Sequence, residues 1–120
     1  MRILVTGHRG YIGSVMVPML LRDGHEVTGL DSDLYERCTY PGGGTMATIP
    51  ELRQDVRDIG PEHLSGFDAC IHLAALSNDP LSDLNPSITS DINHGGSVRL
   101  ARLSKQAGIR RFLLASSCSN

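Results

Sequence analysis

Val5-Thr6-Gly7-His8-Arg9-Gly10-Tyr11-Ile12-Gly13 places three glycines at intervals of three between a short apolar run and an amphipathic one. Upstream, Ile3 to Val5 is fully apolar and partly β-branched, the pattern of a strand buried on both faces. Downstream, Ile12, Val15, Met16, Met19 and Leu20 recur every three or four residues between Tyr11 and Asp23, and Gly24 supplies a stop, which predicts a helix. Pro18 lacks an amide hydrogen and is expected to bend or weaken that helix. In a strand, turn and helix of this kind Gly7 makes the tight turn and Gly10 lets the backbone approach an anionic ligand. Gly13 lets the helix pack close to the sheet, while amides at the helix start face the anion. The plain alternative is a glycine-rich turn that holds no ligand.

Working outward, Glu26 to Asp31 reads as a second strand, followed by a segment with Tyr40-Pro41-Gly42-Gly43-Gly44 at its centre and no regular helix. Ile49 to Asp55 gives a weak third strand and Phe67 to Leu73 a stronger fourth. Asn85-Pro86 resembles an N-cap followed by proline at the first helical position, opening a helix to about Gln106 with Gly108 beyond it. Gly95-Gly96 within that helix costs about 1 kcal/mol per glycine relative to alanine, which suggests close approach of another backbone or a ligand. Ile109 to Ala115 is the fifth strand. Strands alternating with helical patterns imply an α/β fold with a doubly wound parallel sheet. The strand order expected is 3-2-1-4-5, and the sequence reads as truncated after the fifth strand.

Asp31 stands eighteen residues beyond Gly13, at the end of the second strand, where a carboxylate can accept hydrogen bonds from an adenosine ribose. It would repel a 2′-phosphate and so favours NAD over NADP. Arg9 pulls the other way because its guanidinium could pair with that phosphate. The structural alternative for Asp31 is a strand cap that starts a turn with Ser32 and Asp33.

These pieces, together with Asp55-Val56-Arg57-Asp58, His72-Leu73-Ala74-Ala75, Asn93 with Gly96-Ser97, and the closing Ser116-Ser117, resemble the N-terminal part of an extended short-chain dehydrogenase/reductase of the NAD-dependent epimerase/dehydratase family. The resemblance implies a Rossmann-type NAD-binding domain over residues 1–120. Its cofactor contacts would fall on Gly7, Gly10, Tyr11, Ile12, Gly13 and Asp31. It also implies that Asp55 and Val56 contact adenine, that Leu73, Ala74 and Ala75 line the cofactor riboses, and that Asn93 stands behind the site. Ser116 would line the same strand end, and Ser117 would be the catalytic serine that hydrogen-bonds a substrate hydroxyl or carbonyl. Alternatives stay open: Asp55 as a turn residue, Leu73 to Ala75 as core, Asn93 as a tie between helix and loop. The implied partner is a nucleotide sugar, and the implied assembly of the full-length parent is a homodimer. Two rivals remain, a non-catalytic dinucleotide sensor or scaffold and an NADP-linked reductase-epimerase.

The family's acid/base pair is Tyr-x-x-x-Lys, whose lysine lowers the tyrosine pKa. Here the single lysine is Lys105, the residue four before it is Ala101, and no tyrosine follows Tyr40. The pair and the substrate domain are therefore expected beyond Asn120.

Composition narrows the rest. Hydrophobic residues make up 40% of the 120 and charged residues 20%, a globular mixture that excludes a disordered tail. A net charge of −2 without a basic run removes the electrostatic case for nucleic acid or an anionic membrane. Cys38, Cys70 and Cys118 are odd in number and widely spaced, which fits neither a disulfide framework nor zinc and suggests a reducing cytoplasm. Cys70 reads as core, while for Cys118, beside Ser117, the family resemblance leaves open a role in proton transfer. His72 in an apolar strand reads as a packed, hydrogen-bonded core histidine, whereas His8, His25, His63 and His94 show no pattern. No metal site is expected.

Overall fold

The computed structural model describes residues 1–34, 47–77 and 85–116. Five parallel strands form one sheet. β1 (Arg2–Thr6) lies at its centre between β2 (Glu26–Asp31) and β4 (Ala69–His72); β3 (Glu51–Arg53) flanks β2, and β5 (Arg111–Leu114) flanks β4. The order β3-β2-β1-β4-β5 is the doubly wound arrangement expected from the sequence, and it puts the turn after β1 in the middle of the sheet's carboxyl edge.

The apolar run of β1 explains its position. Successive side chains of a strand point to opposite faces, so a run without polar interruption is stable only where both faces are covered. Leu4 packs on one side with Leu30, Ile59, Leu64, Cys70 and Leu100, while Ile3 and Val5 pack on the other with Val17, Val27, Ala69 and Ile71. Each such Leu, Ile or Val side chain contributes roughly 1.5–3 kcal/mol by leaving water. Helix α1 (Tyr11–Arg22) covers the second face through Val17. The first is covered through Leu100 by a longer helical stretch: α2 (Pro86–Ser90), a π-helical segment (Asp91–Gly96) and α3 (Ser97–Gln106).

Several local expectations are corrected. Apolar spacing locates α1 but not its buried face: Gly13, Ser14 and Val17 are buried, whereas Ile12, Val15 and Met19 are exposed. The cause is close approach, because a Cβ on Gly13 would lie 2.4 Å from the His8 carbonyl oxygen, so only the small side of the helix fits against the turn. Pro18 lies inside α1, and its side chain is exposed. The third strand is shorter than 49–55 because Asp55 turns the chain: its Oδ1 accepts from the Arg57 amide at 2.8 Å. The fourth and fifth strands are also shorter than expected. Asn85 caps α2 as anticipated, its side chain accepting from the Ile88 amide at 3.2 Å. The helix that follows is interrupted by the π segment at Gly95 and Gly96, and a short 3-10 turn (Pro61–His63) appears that nothing in the pattern announced. Tyr40 to Gly44, Ser117 and Cys118 lie outside the described residues.

Candidate functional site

Four segments leaving the carboxyl ends of β1, β2, β3 and β4 surround a cleft of about 580 Å³. Its lining includes Gly7, Gly10, Tyr11, Ile12 and Gly13 from the first turn, Asp31 from β2, Asp55 and Val56 after β3, and Leu73, Ala74 and Ala75 after β4. Eleven of the fourteen residues singled out in the sequence therefore meet in one place. Asn93 and Ser116 do not line it, and Ser117 lies outside the described residues.

The three glycines have different physical duties. Gly7 has φ +71°, and a Cβ there would meet the Ala74 amide nitrogen at 2.7 Å, so both conformation and proximity demand glycine. Its amide donates to the Leu30 carbonyl at 2.8 Å, tying the turn to β2. Gly13 is required by the His8 backbone, as above. Gly10, the N-cap of α1, has φ −72°, and a Cβ there would meet only the Gly7 carbonyl oxygen, at 3.2 Å. Beyond that one tight backbone contact, nothing else among the described residues crowds the position. The first turn of a helix has amides without intrahelical acceptors, and here no side chain caps Gly10 and no acidic residue stands in that turn. This start of α1 is thus fitted to an anion supplied from outside, such as a pyrophosphate.

Asp31 does two things at once. Its Oδ2 accepts from the Arg9 amide at 3.0 Å and its Oδ1 from the Asp33 amide at 2.9 Å, so it starts the turn and anchors the glycine loop. A carboxylate has about four acceptor positions. Those two bonds leave capacity for ribose hydroxyls in the cleft that Asp31 lines. Beside it lies a set of polar contacts that the sequence did not reveal. His8 is buried with its ring against Gly29; its Nε2 is 3.2 Å from Glu51 Oε2 and its Nδ1 4.0 Å from Asp31 Oδ2. Arg9 is paired with Glu51, whose hydrogen bonds hold the Glu51 carboxyl below the usual carboxylate range. His8 and Glu51 are 43 residues apart and meet only because of the β2–β3 register, so no local pattern announces them.

On the other side the wall is uncharged. Thr6 Oγ1 is hydrogen-bonded to His72 Nδ1 and also accepts from the Ala74 amide at 3.3 Å. His72 Nε2 reaches Ser97 Oγ at 2.8 Å, and Ser97 Oγ donates to the Asn93 carbonyl at 2.6 Å. The Asn93 side chain clasps Leu76 twice, accepting from its amide and donating to its carbonyl, both at 2.8 Å. Asn93 therefore takes the tying role. His72 is the packed core histidine anticipated, and burial lowers its pKa. Cys70 is core as well, its thiol pushed up to about 12 by burial. At the floor, Asp55 pairs with Arg57 at 2.9 Å, which lowers the Asp55 pKa, and Arg57 reaches Asp91 at 3.1 Å.

Among the described residues no cluster of three His, Cys, Asp or Glu could hold a metal, and no helix is long and apolar enough to cross a membrane.

Comparison with known proteins agrees with this geometry. The family model for the NAD dependent epimerase/dehydratase family matches residues 3–120. A UDP-glucose 4-epimerase of Klebsiella pneumoniae is 34% identical over 99% of this chain and 91% of its own length. That of Mycolicibacterium smegmatis is 35% identical over 98% of this chain but 39% of its own. Among solved structures, an NAD-dependent NDP-hexosamine 5,6-dehydratase of tunicamycin biosynthesis superposes with a TM-score of 0.84 at 30% identity, covering 98% of this chain and 37% of that one. The UDP-glucose 4-epimerase of Thermus thermophilus, solved with NAD, gives 0.79 at 32% identity, covering 98% and 38%. This chain thus spans less than two fifths of the length of most of these relatives. Its sheet order, its glycine turn and the extent of the match agree: the chain belongs to the NAD dependent epimerase/dehydratase family.

Proposed function

We propose that residues 1–120 form the NAD-binding part of an enzyme that epimerises or dehydrates a nucleotide-activated sugar. The observation that carries this is the uncapped start of α1 at Gly10, with no acidic residue in its first turn, next to two glycines whose own Cβ positions are filled by backbone. The chemistry supplied by NAD is reversible hydride acceptance, which turns a sugar hydroxyl into a ketone and back.

The chain's own residues bind and orient. Amides at the start of α1, with Gly7, Gly10, Tyr11, Ile12 and Gly13 around them, hold the pyrophosphate. Asp31 accepts from the ribose hydroxyls, Asp55 and Val56 flank adenine, and Leu73, Ala74 and Ala75 line the riboses. Asn93 keeps the segment after β4 in place through Leu76, Ser116 follows the end of β5, and Ser117 hydrogen-bonds the substrate. Because the one lysine is Lys105, with Ala101 four residues before it, these 120 residues hold no Tyr-x-x-x-Lys pair. Turnover needs that pair from elsewhere, and the assembly envisaged is a cytoplasmic homodimer. Pairing of Arg9 with Glu51 favours NAD over the NADP-linked alternative.

Calorimetry with Gly10→Val tests the assignment. The Cβ there presses on the Gly7 carbonyl oxygen at 3.2 Å, so the urea unfolding midpoint is measured alongside; the variant should stay folded and lose NAD binding. A folded variant with unchanged NAD affinity overturns it.

A further inference from the structure

Arg9 sits in the glycine turn with its amide on Asp31, the carboxylate assigned above to the ribose. A guanidinium at that position is the fork-shaped donor suited to a 2′-phosphate. Its side chain, however, is committed to the edge strand β3. Nε lies 3.1 Å from Glu51 Oε2, and Nη2 lies 2.8 Å from Oε2 and 2.9 Å from Oε1. Nη1 is 3.5 Å from Asp33 Oδ2. The register that pairs Gly29 with Glu51 and Asp31 with Arg53 puts Glu51 beside the turn, its side chain still partly in solvent.

We propose that Glu51 is a positioning residue that sets dinucleotide choice: by holding the Arg9 guanidinium against β3, it denies the cleft the cation that the 2′-phosphate of NADP requires. Asp31 by itself repels that phosphate, and a free Arg9 one bond network away would offset the repulsion. Glu51 removes the offset. The hydrogen bonds to Glu51 also raise the Arg9 pKa, so the pair stays ionised on both sides. The inference rests on the dinucleotide site proposed above and adds what that site discriminates.

The test is calorimetric titration of NAD and of NADP into the purified protein and its Glu51→Gln, Arg9→Met and doubly substituted variants. The unmodified protein should prefer NAD. Glu51→Gln should raise NADP affinity relative to NAD about tenfold, the scale of one charge-assisted contact. Adding Arg9→Met should cancel that gain, while Arg9→Met alone should leave the ratio unchanged. A purely structural defect would lower both affinities and leave their ratio in place. An unchanged ratio in Glu51→Gln, or a gain that survives loss of Arg9, overturns the proposal. If Glu51→Gln does not fold, Arg9→Met decides alone: a fall in NADP affinity relative to NAD would show that Arg9 was never held back. An unmodified protein that prefers NADP overturns this proposal and leaves the dinucleotide site standing, whereas one that binds neither overturns the site itself.

Discussion

The two walls of the cleft are built from opposite materials. On the β4 side, Thr6, His72, Ser97 and Asn93 form an uncharged chain of hydrogen bonds, with Thr6 and His72 fully buried. On the β3 side, Arg9, Asp31, Asp33, Glu51 and Arg53 form a charged cluster around His8, and its outer members Arg9, Glu51 and Arg53 are about a third or more in solvent. A buried neutral network is held in place because any member left without a partner is costly, whereas an exposed ion pair is screened and stabilises little. The neutral wall therefore fixes shape, and the outer ion pairs of the charged wall are free to select ligand charge at small cost to the fold.

The largest effect should come where the walls join. Gly13→Ala drives a Cβ into the His8 backbone, which no rotamer change can relieve, and displaces both the turn and the His8 ring. A loss of roughly 3 kcal/mol in urea unfolding is expected; a loss within error would mean that the loop yields and the walls are not rigidly coupled.

Next comes the neutral wall alone. His72→Leu leaves Thr6 Oγ1 buried without its imidazole partner and should cost about 2 kcal/mol, independent of salt. Burial lowers the His72 pKa, so the unfolded chain takes up a proton first. Stability is then fullest above an unfolded pKa of about 6.5 and falls as the pH drops from there toward the lower folded value. That slope should flatten in His72→Leu; an identical slope in both proteins would assign it to other groups.

The smallest effect is expected at a partly exposed ion pair at the floor of the cleft. Arg57→Ala removes the partner that lowers the Asp55 pKa and should let it rise toward the ordinary carboxylate range in an NMR titration. The unfolding midpoint should barely move. A large loss of stability would show that solvent-facing ion pairs around this cleft do hold the fold, against the reasoning applied to the charged wall.

What can be read in the sequence follows from what is local. β1, β2 and β4 announce themselves because an apolar run is a property of consecutive residues, and the glycine turn because its spacing is. The buried face of α1 is not legible, since what decides it is the backbone of His8 rather than the hydrophobicity of Ile12 or Val15. Nor is the burial of His8, which depends on Gly29 leaving room for its ring. Gly95 and Gly96 are legible as an irregularity, but not as a π turn. Arg9 is visible as a charge in the loop; that Glu51, 42 residues on, holds it is a consequence of sheet register.

The π segment sets a phase. It carries one residue more than an α-helical path of the same rise, so α2 and α3 are offset in rotation about their common axis. One residue in an α-helix corresponds to about 100° of turn. Losing a single residue at Gly95, where a side chain would meet only the Asp91 carboxylate, would tidy the helix and swing everything ahead of it, Asn93 included, away from Leu76. The length of this short stretch, more than its composition, keeps the loop after β4 at the mouth of the cleft.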